Sequence, residues 1–199
     1  MRIFLITLSI ILSFSSLAVS LEAFYFQSPH RILFTGESHR DDTNRAKLAA
    51  SLSVFKAMGG DTLGLEMIES HKQYLLDNYL NYIENSDLEL STYLTKRWQY
   101  NTKSYMRLIS TARELELNLL AIDLDKSKWP KETEVFPVPP DISKVREARE
   151  EHMAKILCDS NYQRIVVLIG SFHSLKKFLP TQIENECSLN SSTFKLSNL

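Results

Sequence analysis

The chain has 199 residues, of which 44% are hydrophobic and 24% are charged, and its formal net charge at pH 7 is −1. The length suits one domain of ordinary size, and the composition excludes an intrinsically disordered chain. Lys and Arg are scattered rather than clustered, so we expect no partnership with nucleic acid or an anionic membrane surface. A small molecule, a metal ion or a peptide is the expected partner.

The N-terminus has the three parts of a secretory signal peptide. Arg2 gives a basic start, residues 3–12 are almost all apolar, and Ala18-Val19-Ser20 provides small residues before a cleavage point. The apolar run is short for a membrane span, and an uncleaved anchor is the alternative. We therefore predict a signal peptide at 1–20 and one domain at 21–199. The mature protein is expected to be exported, periplasmic or secreted, without membrane contact. No lipid anchor is expected, because no cysteine lies directly after the apolar run, where a new N-terminus would carry the lipid.

Short apolar segments bounded by turn residues predict the strands. They are Arg31–Thr35, Thr62–Leu65, Asn118–Ile122 and Arg164–Ile169. The last contains the β-branched run 165–169, which is typical of a strand buried on both faces. Residues 193–196 are expected to add an edge strand.

Amphipathic patterns between these segments predict helices. The first, with Asp42 as its cap, carries Leu48, Leu52 and Phe55 and ends at Gly59-Gly60. The others are marked by Leu75, Tyr79 and Ile83; by Tyr105, Leu108, Ile109 and Ala112; and by Val145, Ala148, His152 and Ile156, the last helix capped by Asp141 or Ser143. Alternating strands and helices predict a single α/β domain with a mostly parallel central sheet of four to five strands, covered by helices on both faces.

The second half of the chain has two further features. Four of the six prolines fall within Lys126–Pro140, which predicts an irregular loop that is either a lid or a plain surface excursion. Cys158 and Cys187 are the only cysteines, too few for a zinc site. They are either buried thiols or, as we hypothesise for an exported protein, a single disulfide.

Each predicted strand ends in residues that can carry chemistry. The endings are Gly36-Glu37-Ser38-His39, Gly64-Leu65-Glu66-Met67, Ala121-Ile122-Asp123 and Gly170-Ser171-Phe172-His173. Ligands of open parallel sheets bind beyond the carboxyl ends of the strands. We therefore expect the functional side chains to converge at one edge of the sheet: Glu37, His39, Glu66, Asp123 and His173.

Taken singly, each of these signals also fits a structural role. A histidine after a strand is more often a cap or a core residue, and Gly36 and Gly170 could serve only to make turns. The first and last strands, however, share nearly the same Gly-x-x-His ending and hold two of the five histidines. This match favours a site that contains His39 and His173.

The remaining candidates carry weaker signals. His30 and His71 are expected at the surface, and His152 is expected in the core or close to the site. Arg149 is expected either to pair with a site carboxylate or to form a surface salt bridge.

Imidazoles and carboxylates together permit two kinds of chemistry. Two histidines and two glutamates can hold a metal ion that keeps a position open for water. Alternatively, a histidine oriented by a glutamate can act as a general base without a metal. The sequence contains no nucleophilic-serine elbow, Walker loop or Gly-x-Gly-x-x-Gly motif, which argues against acyl-enzyme, nucleotide-binding and Rossmann-type functions.

These motifs resemble those of the ChaN-like family of the haem-binding uptake and Tiki superfamily. The likeness rests on the two Gly-x-x-His endings, on Leu65-Glu66-Met67, and on the order of residues 73–82 (QYLLDNYLNY), Trp98, Tyr105 and residues 112–123 (ARELELNLLAID). Arg149 and Met153 also fit the Arg–Met–Ala helix that precedes the last strand in this superfamily. The likeness covers roughly residues 31 to 180.

The resemblance implies an α/β fold and a functional site, whose candidate catalytic residues and metal ligands are Glu37, His39, Glu66 and His173. The expected cofactor is haem or a divalent metal ion, and the candidate cofactor contacts are His39, His173, Asp123 and Arg149. The implied function is haem or iron binding in bacterial uptake. A homodimer is one expected assembly of the exported protein.

The superfamily also leaves a second interpretation open. More distant relatives include metal-dependent proteases and erythromycin-esterase-like hydrolases, so a metal-dependent or His/Glu hydrolase of a peptide or ester is the alternative. The chain departs from the family pattern after His39, where residues 40–45 supply no further histidine. Apolar and aromatic walls around the site would favour haem, whereas a narrow polar cleft would favour hydrolysis.

Overall fold

Strands and helices alternate along the chain of the computed structural model, which describes residues 20–99, 101–129 and 143–198. The strands of these residues are β1 (Ile32–Glu37), β2 (Thr62–Glu69), β3 (Asn118–Asp123), β4 (Ile165–Gly170) and β5 (Ser191–Lys195). The α-helices are α1 (Leu21–Gln27), α2 (Asp42–Ala57), α3 (Gln73–Leu80), α4 (Ser86–Trp98), α5 (Thr102–Glu114), α6 (Ser143–Asp159) and α7 (Leu179–Cys187).

All five strands run parallel in one sheet, in the order β3-β2-β4-β1-β5. This confirms the predicted parallel sheet, and the expected edge strand is β5, which pairs with β1. The helices that follow β1 and β2 lie on one face of the sheet, and those that follow β3 and β4 lie on the other. Because β4 lies between β1 and β2, its carboxyl end is at the switch in strand order, where parallel sheets bind ligands.

Each face of the sheet has its own apolar core, because side chains alternate along a strand. Leu33 and Val166 pack against α1 to α5 on one face, and Ile32 and Ile165 pack against α6 and α7 on the other. All four are completely buried. Helices therefore cover both faces of the sheet, as predicted.

The two ends of α2 can be compared with the predicted helix boundaries. The N-cap is Asp41 rather than the predicted Asp42, because the Asp41 carboxylate accepts a hydrogen bond of 2.9 Å from the Thr43 N–H. Asp42 is the first helical residue, and its carboxylate pairs with Arg45 instead. After the helix, Gly59 has a φ of +81°, a left-handed conformation that glycine adopts without strain.

Three helices, α1, α4 and α7, have no counterpart among the predicted elements. The apolar residues that α4 buries are Leu90 and Leu94, and those of α7 are Leu179 and Ile183. Two apolar positions are too few to establish a helical period. Ile83, which the spacing assigns to the second predicted helix, lies beyond the end of α3 and is 52% exposed.

Cys158 and Cys187 form a disulfide that joins the C-terminal ends of α6 and α7. Their Cα atoms are 5.9 Å apart, within the usual range for this bond. The expected pairing is therefore confirmed.

Some predictions fall on other parts of the chain. Residues 1–19 of the predicted signal peptide, residues 130–140 of the proline-rich loop and the candidate cap Asp141 lie outside the described residues. Ser143, the other candidate cap, is the first residue of α6. No helix in the described ranges is long and apolar enough to cross a membrane.

Candidate functional site

A groove opens at the carboxyl ends of β1, β2 and β4. Its volume is about 1290 Å³, which exceeds the roughly 300–1,000 Å³ typical of small-molecule pockets. Of the five residues expected to converge, four line the groove: Glu37, His39, Glu66 and His173. The fifth, Asp123, is completely buried beneath it.

The glycines of the two matching motifs allow side chains to pack closely against the ends of β1 and β4. Gly36 and Gly170 lie within β1 and β4, and neither has a positive φ; among the glycines only Gly59 does. A β-carbon at Gly170 would lie 2.8 Å from His39 Nε2, and one at Gly36 would lie 2.6 Å from Ser174 Oγ. The alternative that these glycines only make turns is therefore wrong, since both lie inside strands and a β-carbon at either would meet a neighbouring side chain.

A buried carboxylate holds the ring of His39. Nδ1 of His39 forms a hydrogen bond of 3.0 Å with Glu37 Oε1. The same oxygen accepts a bond of 3.0 Å from the Tyr105 hydroxyl, and Oε2 accepts one of 2.5 Å from Arg45. Burial disfavours the imidazolium, but the bond with Glu37 and the charge of Glu66 outweigh it, so the pKa of His39 is raised above its ordinary value. With Nδ1 engaged, Nε2 is the nitrogen that remains for a ligand.

Glu66 lies between the two histidines. Its Oε2 is 4.0 Å from His39 Nε2, and its Oε1 is 3.6 Å from His173 Nε2, so these side chains do meet at one edge of the sheet. The Gly170 N–H donates to Oε2 at 2.5 Å, and Arg149 Nη2 donates to Oε1 at 2.7 Å. Burial alone would raise the pKa of Glu66, but the charge of Arg149 above all lowers it to about 2. The carboxylate is therefore ionised at neutral pH.

The buried carboxylate of Glu150 on α6, which the sequence did not single out, holds the ring of His173. Nδ1 of His173 forms a hydrogen bond of 2.8 Å with Glu150 Oε1. Its Nε2 is 3.3 Å from Arg149 Nη1. The side chain of His173 is 10% exposed, against 27% for His39. His39 is thus the more accessible of the two imidazoles.

Arg149 and Arg97 connect the buried carboxylates beneath the groove. Arg149 Nε donates to Asp123 Oδ1 at 2.6 Å, in addition to its bond with Glu66. Arg97 donates to Glu69 Oε1 at 2.6 Å and also to Asp123. This confirms that Arg149 pairs with site carboxylates. Asp123 anchors the two arginines, and a direct contact between Asp123 and a cofactor stays a prediction.

Aromatic and cationic side chains form much of the remaining wall. The aromatic residues are Tyr93, Trp98, Trp129 and Phe172, and the cationic ones include Arg40, Lys96, Arg97, Lys126 and Arg146. The ring of Trp98 lies 4.8 Å from that of His39, between centroids. The exposed cations Arg40, Lys96 and Lys126 form no ion pair with an acidic residue in the described part of the chain. The remaining wall therefore combines aromatic and cationic side chains, and its exposed cations can meet an anionic ligand.

Two charged site residues that the sequence analysis missed do have a sequence signal. Arg45 falls on the same stripe of α2 as Leu48 and Leu52, and Glu150 falls on the stripe of α6 that contains Met153. A charged residue on the apolar stripe of a helix is almost never buried unless it is paired. Both are buried, and both are paired with a residue that the sequence analysis did single out.

The other three histidines do not line the groove. His30 is half-buried rather than at the surface as expected, because its Nδ1 forms a bond of 2.8 Å with Ser192 Oγ on the edge strand β5. His71 is exposed, as expected. His152 is half-buried, with Nε2 2.7 Å from Ser70 Oγ.

This arrangement can act in two ways. Nε2 of His39 can bind the metal centre of a cofactor, and Glu37 then supports the ring as carboxylates do for ligating histidines. The same pair can act as a general base on water. The four residues predicted to hold a bare metal ion are less favourably placed, because Glu37 and Glu66 each already have a guanidinium partner.

Comparison with known proteins relates the chain to one family. The sequence model of a family described as haem-binding uptake, Tiki superfamily, ChaN matches residues 27–131. The matched range includes Glu37, His39 and Glu66 and ends before His173. No curated protein sequence matches the chain.

Three solved structures show where the same fold occurs. One is ChaN of Campylobacter jejuni, described as binding haem cofacially, with 16% identity over 83% of this chain and 81% of that chain and a TM-score of 0.60. Another is RRSP, a MARTX toxin effector domain from Vibrio vulnificus, with 20% identity over 73% of this chain and 28% of that chain and a TM-score of 0.53.

A third is the C-terminal region of Pasteurella multocida toxin, described as having a thiol-protease-like catalytic triad. It is 13% identical over 78% of this chain and 21% of that chain, with a TM-score of 0.58. The chain thus spans less than a third of either toxin structure, and at these identities the similarity shows the shared fold alone.

Proposed function

The chain belongs to the haem-binding uptake family of the Tiki superfamily, ChaN, and from that premise we propose that it is an exported protein that binds haem in the groove at the carboxyl ends of the sheet, in haem or iron uptake. One observation carries the proposal: the groove combines an accessible imidazole, aromatic side chains and exposed cations that have no acidic partner in the described ranges. Haem is a flat aromatic macrocycle with an iron centre and two carboxylates, so each of these features has a counterpart in the ligand.

The residues present fit haem at three points. His39 would hold the iron through Nε2, since histidine is a common axial ligand of haem and Nδ1 is already bonded to Glu37. Trp98 and Phe172 offer aromatic surface to the macrocycle. Arg40 and Lys96 offer positive charge to its carboxylates. Bound haem would supply an iron centre for transport or redox chemistry.

A bare divalent ion on the four predicted ligands is less well supported. Glu37 and Arg45 are both completely buried as side chains and lie 2.5 Å apart, and Glu66 is bonded to Arg149 at 2.7 Å. A dication placed among these residues would meet two guanidinium groups whose charge already compensates both carboxylates. A neutral imidazole ligand to haem iron requires no such negative charge.

Export is supported by the N-terminal pattern and by the disulfide between Cys158 and Cys187, because disulfides persist in oxidising compartments. N-terminal sequencing of protein secreted from an expressing bacterium tests this part of the proposal. We expect a mature chain that begins near Leu21. Recovery of only full-length chain, bound to membranes, would favour the uncleaved anchor instead.

Titration of the haem-free protein with haemin tests the ligand. We expect a saturable shift of the Soret band, and at least about ten-fold weaker binding in His39→Ala. The matched control is His30→Ala, because His30 lies outside the groove beside the amino end of β1. Light scattering with and without haem tests the expected homodimer. Equal haem binding by both variants and the wild type would rule out His39 as the iron ligand.

Hydrolysis remains the second candidate function, and one observation favours it: the His39–Glu37 pair has the geometry of an oriented general base. The water-activating role would fall to Nε2, with Glu66 and His173 beside it. A thiol nucleophile is not available, because both cysteines are in the disulfide. Ester and peptide substrates incubated with wild type and His39→Ala test this candidate. Turnover that persists in His39→Ala would reject it.

A further inference from the structure

A second group of metal-ligating side chains lies outside the four residues predicted as ligands. Glu69 ends β2, His71 follows it in a short 3-10 helix, and Asp125 follows β3. One ligand atom from each of these residues lies within 4.8 Å of the other two, and the described residues contain no other such group of three. We propose that Glu69, His71 and Asp125 bind a divalent first-row transition-metal ion at the wall of the groove.

Each of the three side chains has a ligand atom with free capacity. Oε2 of Glu69 accepts one bond, of 3.1 Å, from the Tyr93 hydroxyl. Oδ1 of Asp125 accepts from the Ser127 N–H at 2.9 Å, which leaves Oδ2 free, 3.7 Å from Nδ1 of His71. A carboxylate oxygen has two lone pairs, so both acids can ligate while they keep these bonds.

The chemistry of the donors selects the kind of ion. Two carboxylate oxygens and one imidazole suit ions such as Zn²⁺, Co²⁺ or Mn²⁺ better than Ca²⁺ or Mg²⁺, which prefer oxygen alone. Three protein ligands also leave positions open for water or another ligand. Bonds of roughly 2.0–2.2 Å require the ligand atoms to move closer together, which the exposed His71 side chain can allow by rotating.

The charges around the proposed site are unevenly compensated. Glu66 and Glu69 each have a guanidinium partner, Arg149 and Arg97 respectively, and burial raises the pKa of Asp123, which both arginines also contact. The Asp125 carboxylate has no guanidinium partner in the described ranges, and only the His71 imidazole lies near it, at 3.7 Å. A dication would therefore compensate the charge of Asp125.

Of the neighbouring cations, Arg97 is bonded to Oε1 of Glu69 and leaves Oε2 to a ligand, and the ammonium group of Lys126 forms no ion pair with these carboxylates in the described ranges. Lys126 approaches Glu69 through its backbone N–H, which donates to Oε1 at 2.8 Å. The ammonium group of Lys126 instead lies 5.8 Å from the centre of the Trp129 ring. The Asp125 carboxylate adds a second negative charge at this point.

The inference goes beyond haem binding and is tested without haem. Untagged, haem-free protein is treated with a chelator and titrated with Zn²⁺ by calorimetry and with Co²⁺ by visible absorption. We expect one ion per chain, at least about ten-fold weaker binding in His71→Ala, and a similar loss in Asp125→Asn. Circular dichroism confirms that each variant is folded.

The matched control is His152→Ala, because His152 is bonded to Ser70 next to the proposed site but contributes no ligand atom. It should bind Zn²⁺ as the wild type does. The proposal is wrong if the wild type binds no ion, or if His71→Ala and Asp125→Asn bind it unchanged. Loss of the ion only in His39→Ala or His173→Ala would place it on the four originally predicted ligands and would equally overturn the proposal.

Discussion

Gly170 lies so close to the His39 ring that a β-carbon at this position would be 2.8 Å from Nε2. The two residues belong to the matching motifs at the ends of β1 and β4, 131 positions apart in numbering, and Glu37 pairs with Gly170 in the sheet register. The space left by the glycine is therefore occupied by the nitrogen that we assign to the ligand. The absence of a side chain at Gly170 therefore sets the position of the His39 ring in the groove.

Gly170→Ala should displace the His39 ring and weaken haem binding at least about ten-fold. The nearest atoms to the new methyl group belong to the end of the His39 side chain, so rotation of the ring relieves the clash and stability should fall by only about 1 kcal/mol. Haemin titration and urea unfolding measure the two effects. Gly64→Ala is the control: its methyl group would contact Val167 in the core, so it should leave haem binding unchanged. Equal effects of both substitutions on haem binding would contradict this assignment.

Arg149→Met should lower the free energy of unfolding by about 3–5 kcal/mol, because it leaves two buried carboxylates, Glu66 and Asp123, without their shared partner. Arg40→Met removes a cation of the groove that is exposed and has no acidic partner in the described ranges. Its effect should remain within about 0.5 kcal/mol. Urea unfolding at neutral pH compares the variants. Similar losses of unfolding free energy in both variants would show that the buried ion pairs of Arg149 contribute little to stability.

The acid stability of the protein should depend on Glu66. Burial opposes ionisation, but Arg149 lowers the pKa of the folded carboxyl to about 2, below its ordinary value of 4.5. A group with a depressed pKa stabilises the fold above the unfolded value, and that contribution is lost as the pH falls from 4.5 towards 2. Urea unfolding across this range should show a shallower fall for Glu66→Gln than for the wild type. An unchanged slope in Glu66→Gln would contradict this origin of the acid sensitivity.

Haem affinity should fall as the pH drops, because a protonated imidazole cannot ligate iron. The hydrogen bond with Glu37 and the charge of Glu66 outweigh burial and raise the pKa of His39 above its ordinary 6.5. The loss of affinity should therefore begin above pH 6.5 rather than below it. Soret titrations from pH 8 to pH 5.5 measure the midpoint, and His30→Ala should share the wild-type profile. A flat profile over this range would exclude His39 as the ligand.

Replacing both Cys158 and Cys187 by Ala should lower the free energy of unfolding by about 3–4 kcal/mol on the chain-entropy model, since the bond spans 29 positions. Reductant added to the wild type should produce a similar loss and should leave the double variant unchanged. Unfolding curves in the presence and absence of reductant measure both effects. A double variant as stable as the wild type would show that the bond is dispensable.

The ends of the strands show most clearly how much of the candidate site the sequence predicts. The apolar runs before Glu37, Glu66 and His173 predict parallel strands, and parallel strands end at one edge of a sheet. Convergence of these side chains could therefore be predicted without coordinates. The two Gly-x-x-His motifs could be recognised as a pair, although the sequence alone did not distinguish a turn from a close approach as the reason for glycine.

The sequence by itself determined the α/β class, the location of the strands, the four groove residues and the cysteines that can pair, because each depends on local periodicity or on a motif within a few residues. It placed the end of the second strand too early, since β2 continues to Glu69 and Glu66 lies inside it. Only the tertiary structure decided the strand order and the partner of each buried charge. Arg149 meets Glu66 across 83 positions, and Glu150 meets His173 from another element. Such pairs depend on how helices pack on the sheet, and no local pattern encodes that packing. The balance of charge from which we propose haem rather than a bare ion at His39 is consequently a property of the fold.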